Sequence, residues 1–193
     1  MTDFTTRVLA DYRPSEFTIE STELTFELHE TETLVTNVMS INKQKVGKAT
    51  LCLQGEQLTL KSILLNDNEL SYDSYQIDEQ SLTIETELND FTLTIVTQIN
   101  PLENTSLEGL FKSGDAFCTQ CEAEGFRRIS YYLDRPDVMA LFTTKVIADK
   151  KAYPFLLSNG NKVAEGDLAD GKHYVTWQDP VSYTHLTLPT NRE

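Results

Sequence analysis

The chain has 193 residues, 39% of them hydrophobic and 24% charged, which is the composition of one globular domain rather than of a disordered chain. Its 30 acidic residues outnumber the 16 basic ones, and the formal net charge is −14 at pH 7. This charge repels phosphate backbones and anionic lipids, so we expect neither nucleic acid nor a membrane as a partner.

The amino terminus, MTDFTTRVLADYRPSEF, has no basic region followed by an apolar core. No stretch of the sequence approaches the roughly 18 apolar residues of a transmembrane helix. The three cysteines are an odd number without a secretory signal, which argues against a disulfide framework. We therefore predict a soluble, cytoplasmic protein with reduced cysteines.

Between residues 17 and 97 apolar residues recur at every second position, the pattern of strands with one buried face. The pattern is clearest in ELTFEL, where Leu24, Phe26 and Leu28 alternate with polar residues. Similar runs contain Leu51 and Leu53, Leu58 and Leu60, Leu82 and Ile84, and Phe91, Leu93 and Ile95. Turn-forming residues separate the runs at Gly55, Asn66 to Asn68, Asp78-Glu79 and Asn89-Asp90. The spacing of about ten residues predicts an all-β fold, an antiparallel sandwich or saddle of many short strands.

Later in the chain, Asn159-Gly160 lies between two extended runs and predicts a hairpin with a type I′ turn. Asp170-Gly171 predicts a second hairpin, leading into KHYVTWQ. One short helix of one or two turns is expected from Pro136, which suits a first helical position, through the apolar residues up to Phe142.

The sequence changes character after Pro180, where it reads VSYTHLTLPTNRE. We predict a β domain over residues 1–180 and a tail over residues 181–193 that is foreign to the protein, such as translated vector or adapter sequence. The alternative is a last strand with a frayed end.

The stretch CTQCEAEGFRRISYY begins at Cys118 and contains a pair of cysteines at the spacing of a zinc knuckle. A second pair of ligands is missing, since Cys52 and the three histidines form no partner motif. A redox pair would need a βαβ context, and the surroundings predict strands. We therefore expect no metal site in this chain and interpret the cysteines as small, half-buried residues.

Gln120 and Glu122 offer different chemistry. In an extended segment, alternation would place both side chains on one face, with the cysteines facing the other way. An amide carbonyl beside a carboxylate suits an ammonium group, which offers three donors and one positive charge. Solvated surface is the competing interpretation, because exposed glutamates are common.

The longest informative run is NTSLEGLFKSGDAFCTQCEAEGFRRISYYLDRPDVMALFTTKVIADKKAYPFLLSNGN, followed by GKHYVTWQDP. It closely resembles the amino-terminal domain of the bacterial aminopeptidase N family, which are zinc metallo-aminopeptidases of the gluzincin type. The resemblance is densest over residues 104–180 and looser from Arg13 onward. The motif shared more widely is Q-x-E followed by an arginine and an aromatic run, here Gln120, Glu122, Arg127 and the Tyr131-Tyr132 pair.

The resemblance implies a saddle-shaped β domain that packs on a thermolysin-like catalytic domain and contributes a loop to the active site. Glu122 then corresponds to the glutamate that helps hold the free α-amino group of the substrate, and Gln120 to the glutamine lining the first side-chain pocket. The implied partners are peptides with a free N-terminus and the catalytic domain of the parent chain. An acetylated terminus would leave Glu122 desolvated and unpaired, which explains rejection of blocked peptides.

The resemblance also implies a zinc ion held by an H-E-x-x-H helix in the full-length parent. Neither that motif nor G-A-M-E-N occurs in this chain, so we expect the chain to bind no zinc and to be inactive alone. The alternative function is a stand-alone β module that binds a protein or ligand without catalysis.

Two further groups of side chains have a structural interpretation. Arg127 and Arg128 are expected to pair with nearby carboxylates such as Asp134 or Asp137 rather than to take part in chemistry. Trp177 and the two tyrosines are expected in the core or at an interface.

Overall fold

The computed structural model describes residues 9–179, so the predicted boundary at Pro180 and the predicted foreign tail lie outside the described residues. Within that range thirteen strands follow one another along the chain. They are β1 (Phe17–Glu27), β2 (Thr33–Lys43), β3 (Ala49–Gln54), β4 (Thr59–Leu65), β5 (Asn68–Glu69), β6 (Tyr75–Ile77), β7 (Ser81–Thr86), β8 (Asp90–Ile99), β9 (Gly109–Ser113), β10 (Ala116–Gln120), β11 (Leu141–Asp149), β12 (Asn161–Asp167) and β13 (Lys172–Asp179).

The strands form one large sheet and two small ones. The large sheet has eight strands in the order β12-β13-β11-β1-β2-β8-β4-β5, and the small sheets are β3-β7-β6 and β10-β9. The predicted all-β fold is thus confirmed, with one difference in strand direction. Strands β1 and β11 pair in parallel, whereas the other pairs are antiparallel. A parallel pair needs a long crossover, and here the chain between β1 and β11 builds most of the fold before returning.

The core lies on one face of the large sheet, where alternate side chains of the central strands are buried. Strand β2 is the most regular, with every second residue buried from end to end. Three of its six buried residues are polar, namely Thr33, Asn37 and Lys43. This mixture explains why β2 is absent from the runs recognised in the sequence, since its buried face is not uniformly apolar.

Two predicted turns are confirmed by their backbone angles. Asn66 and Asp67 join β4 to β5 with φ of 48° and 63°, and Asp170 and Gly171 lie between β12 and β13 with φ of 58° and 73°. Two successive residues of positive φ match the right-handed twist of a hairpin, which is why asparagine, aspartate and glycine suit these positions.

The type I′ hairpin predicted at Asn159-Gly160 is wrong. Residues 153–158 form no strand, and β12 pairs with β13 instead. Gly160 does have a positive φ of 82°, but its role is a close approach: a Cβ there would lie 2.2 Å from the carbonyl oxygen of Gln178. The glycine therefore lets the chain approach the backbone at the end of β13 closely, where the pairing of β12 with β13 begins.

The short helix predicted from Pro136 to Phe142 is also wrong. Residues 136–137 form a turn and β11 begins at Leu141. Between them Val138 and Ala140 are buried while Met139 is exposed, which is the period of extended chain. Strand β11 pairs with β1 on one side and β13 on the other, and these ladders outweigh a local helical preference.

Within residues 9–179 the helical structure consists of four single turns of 3₁₀ helix, Leu9–Asp11, Tyr72–Ser74, Phe126–Arg128 and Ala169–Gly171. No helix in this part of the chain has the length and apolar character needed to cross a bilayer.

Candidate functional site

Gln120 is the last residue of β10, in a hairpin with β9 that pairs it with Gly109. Because the strand ends here, Glu122 does not continue the alternation and lies in the turn that follows. The predicted placement of the cysteines also needs correction. Cys118 lies two residues before Gln120 in the same strand, so alternation puts it on the face of Gln120, and only Cys121 turns inward and is buried.

Residues 121–125 form a tight turn. The Gly125 amide donates to the Cys121 carbonyl oxygen at 2.9 Å, and the Gln120 side-chain amide donates to the Glu122 carbonyl oxygen at 3.1 Å. The peptide bond between Glu122 and Ala123 is cis. Position 125 requires glycine for steric reasons, because a Cβ there would lie 2.5 Å from the carbonyl oxygen of Gln120. The turn thus keeps Gln120 and Glu122 adjacent, although not by strand alternation.

Residues 121–134 contain three carboxylates, those of Glu122, Glu124 and Asp134, and they differ in their partners. Asp134 is buried and accepts a hydrogen bond from Arg127 Nε at 2.9 Å, and Glu124 pairs with Arg127 Nη2 at 3.2 Å. Glu122 is exposed, and no other described residue bonds to or pairs with its carboxylate. Of the three, Glu122 is therefore the carboxylate available to a ligand.

Burial is the largest single influence on the pKa values of both Asp134 and Arg127. It raises the pKa of the Asp134 carboxyl, and the hydrogen bonds and charge of Arg127 offset that effect only in part. Burial also lowers the pKa of the Arg127 guanidinium, but here Asp134, Glu124 and Glu56 outweigh it and leave the pKa raised. Burial therefore prevails at Asp134, whereas the attraction of the neighbouring carboxylates prevails at Arg127.

The structural interpretation of the arginines is confirmed for Arg127, which pairs with Asp134. Arg128 instead pairs with Glu56 at 2.9 Å and Glu108 at 3.1 Å. Asp137 is paired with Arg135, at 2.7 Å.

Aromatic side chains pack on the buried side of residues 121–134. Tyr131 and Tyr132 are buried, as predicted, and the Tyr132 ring meets the Phe126 ring edge-on with centroids 4.6 Å apart. The Tyr132 hydroxyl lies 3.2 Å from Thr22 Oγ1 on β1. Trp177 is half-buried, and its indole N–H donates to the Leu156 carbonyl oxygen at 3.2 Å.

Beside this segment lies an apolar cavity of about 520 Å³. It is lined by the inward face of β10 and the turn, by strands β1 and β11, and by residues 152–159. Cys121 is one of the lining residues, and burial raises the pKa of its thiol to about 12, so it stays a neutral thiol. Within residues 9–179 no three histidine, cysteine, aspartate or glutamate side chains are grouped to hold a metal ion.

The sequence interpretation missed two partners of Arg127. Glu124 could have been found, since it lies three residues before the arginine. Glu56 could not, because the fold alone brings the end of β3 to this point, where the Glu56 amide donates to the Arg127 carbonyl oxygen at 2.9 Å.

Comparisons with known proteins agree with this geometry. A family model described as the Peptidase M1 N-terminal domain matches residues 16–184. Aminopeptidase N of Escherichia coli is 52% identical over 170 residues, which is 88% of this chain and 19% of that protein. Aminopeptidase N of Haemophilus influenzae is 47% identical over 173 residues, which is 88% of this chain and 20% of that protein. The chain thus spans about a fifth of the length of these relatives.

Solved structures give the same result. Legionella pneumophila aminopeptidase A in complex with aspartic acid superposes with a TM-score of 0.86 at 31% identity, over 92% of this chain and 21% of that one. The M1 zinc metallopeptidase of Deinococcus radiodurans shares the fold, with a TM-score of 0.72 at 13% identity over 88% of this chain and 40% of that one. That protein is a zinc enzyme, whereas the described residues of this chain do not fit a zinc site. The chain belongs to the M1 peptidase family, of which it provides the amino-terminal domain.

Proposed function

We propose that this chain is the substrate-anchoring part of a zinc aminopeptidase that releases single residues from peptide N-termini. Glu122 binds the α-amino group of the substrate and Gln120 borders the pocket for its first side chain. The observation that carries this proposal is the exposed Glu122 carboxylate, which has no protein partner among the described residues while its neighbours Glu124 and Asp134 are both paired with Arg127.

The chemistry of the turn supports this assignment. A peptide α-amino group has a pKa of about 7.7 to 8.0 and is largely cationic at neutral pH. The Gln120 amide nitrogen donates to the backbone of Glu122, so the Gln120 side-chain oxygen remains available as an acceptor at this turn. A hydrogen bond between charged groups is worth about 1.5 to 3 kcal/mol, enough to favour free over acetylated N-termini.

The test uses a chimaera of the E. coli enzyme in which residues 16–179 of this chain replace the matching segment. Glu122→Gln keeps the shape of the side chain and removes its charge. We expect kcat/KM for an alanine arylamide to fall by about 1 to 3 kcal/mol, or about 5- to 150-fold. The preference for a free-amine inhibitor over its N-acetyl form should fall by a similar factor.

Glu69→Gln is the matched control, since Glu69 is an exposed glutamate on the edge strand β5 and should leave both measurements unchanged. Unchanged kcat/KM and unchanged amine preference in Glu122→Gln would remove this residue from the site.

The 193-residue chain by itself should not hydrolyse an arylamide, because catalysis requires the zinc site of the parent. We expect no hydrolysis above background when zinc is added. Activity that survives purification and disappears with a chelator would contradict this part of the proposal.

The alternative of a stand-alone binding module is less well supported. Phe155 is 84% exposed and Leu157 is 78% exposed, and both line the apolar cavity. Exposed apolar side chains around a cavity are typical of a surface that another domain covers. They therefore favour a domain of a larger protein.

A further inference from the structure

The two adjacent arginines after the turn are equally buried but have different partners. Their side chains are 17% and 18% exposed, for Arg127 and Arg128 respectively. Arg127 reaches back into the 121–125 turn and pairs with Glu124 at 3.2 Å. The side-chain partners of Arg128 all lie outside that turn, and they are Glu56, Gln57 and Glu108. Only the backbone amide of Arg128 contacts the turn, where it donates to the Gly125 carbonyl oxygen at 3.1 Å.

The guanidinium of Arg127 is held by a rigid part of the fold. Its Nε donates to Asp134 Oδ2 at 2.9 Å, and its Nη2 donates to the Asp134 carbonyl oxygen at 3.2 Å. The Asp134 amide donates in turn to the Gln54 side-chain oxygen at 3.1 Å. Gln54 ends β3 and exchanges two backbone hydrogen bonds with Tyr132, of 2.8 and 3.0 Å. The guanidinium is therefore a fixed point to which the turn is attached.

Glu124 is the link between this fixed point and the turn. It lies two residues after Glu122, whose own carboxylate has no partner among the described residues. The position of the Glu122 carboxylate thus depends on the backbone of the turn, and Arg127 restrains that backbone through Glu124. The planar fork of arginine can contact Asp134 and Glu124 at once, whereas a lysine offers a single ammonium.

We infer that Arg127 is a positioning residue that fixes the Glu122 carboxylate through Glu124 and Asp134, and that Arg128 does not share this role. The inference rests on the proposed function for its effect on substrate, but the restraint itself is a property of this chain.

The restraint is tested first on the 193-residue chain by amide hydrogen exchange. The probe is the Gly125 amide, which closes the turn. In Arg127→Lys we expect its exchange to accelerate about tenfold, because a local opening becomes easier. In Arg128→Lys it should change less than about twofold. The Leu93 amide in the core strand β8 reports global unfolding. The Gly125 exchange rates of the two variants are therefore compared after correction for any change in the Leu93 exchange rate. Equal acceleration at Gly125 in both variants would overturn the inference.

The effect on substrate is tested in the chimaera. Arg127→Lys should lower kcat/KM about tenfold through misplacement of the carboxylate. Glu124→Gln should lower it about threefold, as expected for loss of a partly exposed ion pair, with an unchanged melting temperature. Arg128→Lys is the control and should stay within about twofold of the parent.

A double-mutant cycle separates positioning from general destabilisation. If Arg127 acts through Glu122, then Arg127→Lys should have little further effect on kcat/KM in the Glu122→Gln background. An additive loss would mean a merely structural role and would overturn the inference while leaving the proposed function intact. If Glu122→Gln alone has no effect, the proposed function fails, and the exchange measurement still decides the restraint.

Discussion

Two irregular segments face each other across the apolar cavity, residues 121–134 and residues 153–158, and they are stabilised very differently. In the first, all residues from Ile129 to Asp134 are buried. In the second, only Leu156 is buried, and the neighbouring Phe155 and Leu157 are exposed at the rim of the cavity.

The polar contacts of the two segments differ in the same way. Residues 121–134 are joined to the large sheet by Thr97, which donates to the Ile129 carbonyl oxygen at 2.9 Å, and by Asn37, which donates to Ser130 Oγ at 3.2 Å. In residues 153–158 the polar contacts belong mainly to Tyr153 and Leu156. The Tyr153 carbonyl oxygen lies 2.8 Å from His173 Nε2, the Tyr153 hydroxyl donates to Glu30 at 3.2 Å, and the Leu156 carbonyl oxygen accepts from Trp177.

The difference shows that irregular backbone need not be loosely held. A segment without strand pairing can still be fixed when its polar groups are satisfied by neighbouring strands and its side chains are buried. Such a segment can present a carboxylate at a defined position, as a binding site requires. The second segment provides apolar surface instead.

The largest expected effect comes from deleting a buried ring in the first segment. Tyr132→Ala removes a side chain that is 1% exposed and packs on Phe126, so we expect a loss of about 3 to 5 kcal/mol in the free energy of unfolding. Urea denaturation monitored by circular dichroism measures this change. Tyr132→Phe is the control, since it removes only the contact with Thr22 and should cost about 1 kcal/mol. A loss below about 1 kcal/mol for the alanine variant would mean that the segment is not fixed by its packing.

The second test uses pH, because the pKa of Asp134 in the first segment and that of Glu30, which contacts Tyr153 of the second segment, are shifted in opposite directions. A hydrogen bond from Lys112 and a second from Tyr153 lower the pKa of Glu30, which ties Tyr153 in place. The stabilisation from Glu30 is therefore complete above the ordinary carboxyl pKa and is lost as the pH falls through the lowered folded-state value. Glu30→Gln should lower the melting temperature at pH 7, and the deficit should shrink toward pH 3.

Asp134 should show the reverse trend, because burial raises its pKa. Its charged form costs stability above the folded-state pKa, and protonation relieves that cost as the pH falls. The melting temperature of the parent relative to Asp134→Asn should thus rise as the pH falls from neutral toward the ordinary carboxyl pKa. Parallel pH profiles for the two variants would contradict the contrast between the segments.

The smallest effect is expected from the matching deletion in the second segment. Phe155→Ala removes a ring that is 84% exposed, so the free energy of unfolding should change by no more than about 0.5 kcal/mol. The same urea denaturation assay measures it beside Tyr132→Ala. A loss comparable to that of Tyr132→Ala would show that Phe155 is packed in solution.

The sequence by itself determined the strands whose buried face is mostly apolar, such as β1, β7 and β8, each of which buries one threonine, because alternation alone marks them. It also determined the turns at Asn66-Asp67 and Asp170-Gly171, since few residue types tolerate a positive φ at two successive positions. The family followed from a long run of similar residues rather than from any physical pattern. Gln120 and Glu122 were found in the same way, and their role in substrate binding stays a prediction.

Only the tertiary structure decided the features that depend on residues distant in sequence. The pairing of β11 with β1 and β13 left only the last two residues of the predicted helix in a strand and the rest in a turn and extended chain, because ladders on both edges outweigh local preference. The end of β10 at Gln120 moved Glu122 from a strand into a turn. The contact of Glu56 with Arg127 was decided by the approach of the end of β3, a contact between residues about 70 positions apart that no local pattern records.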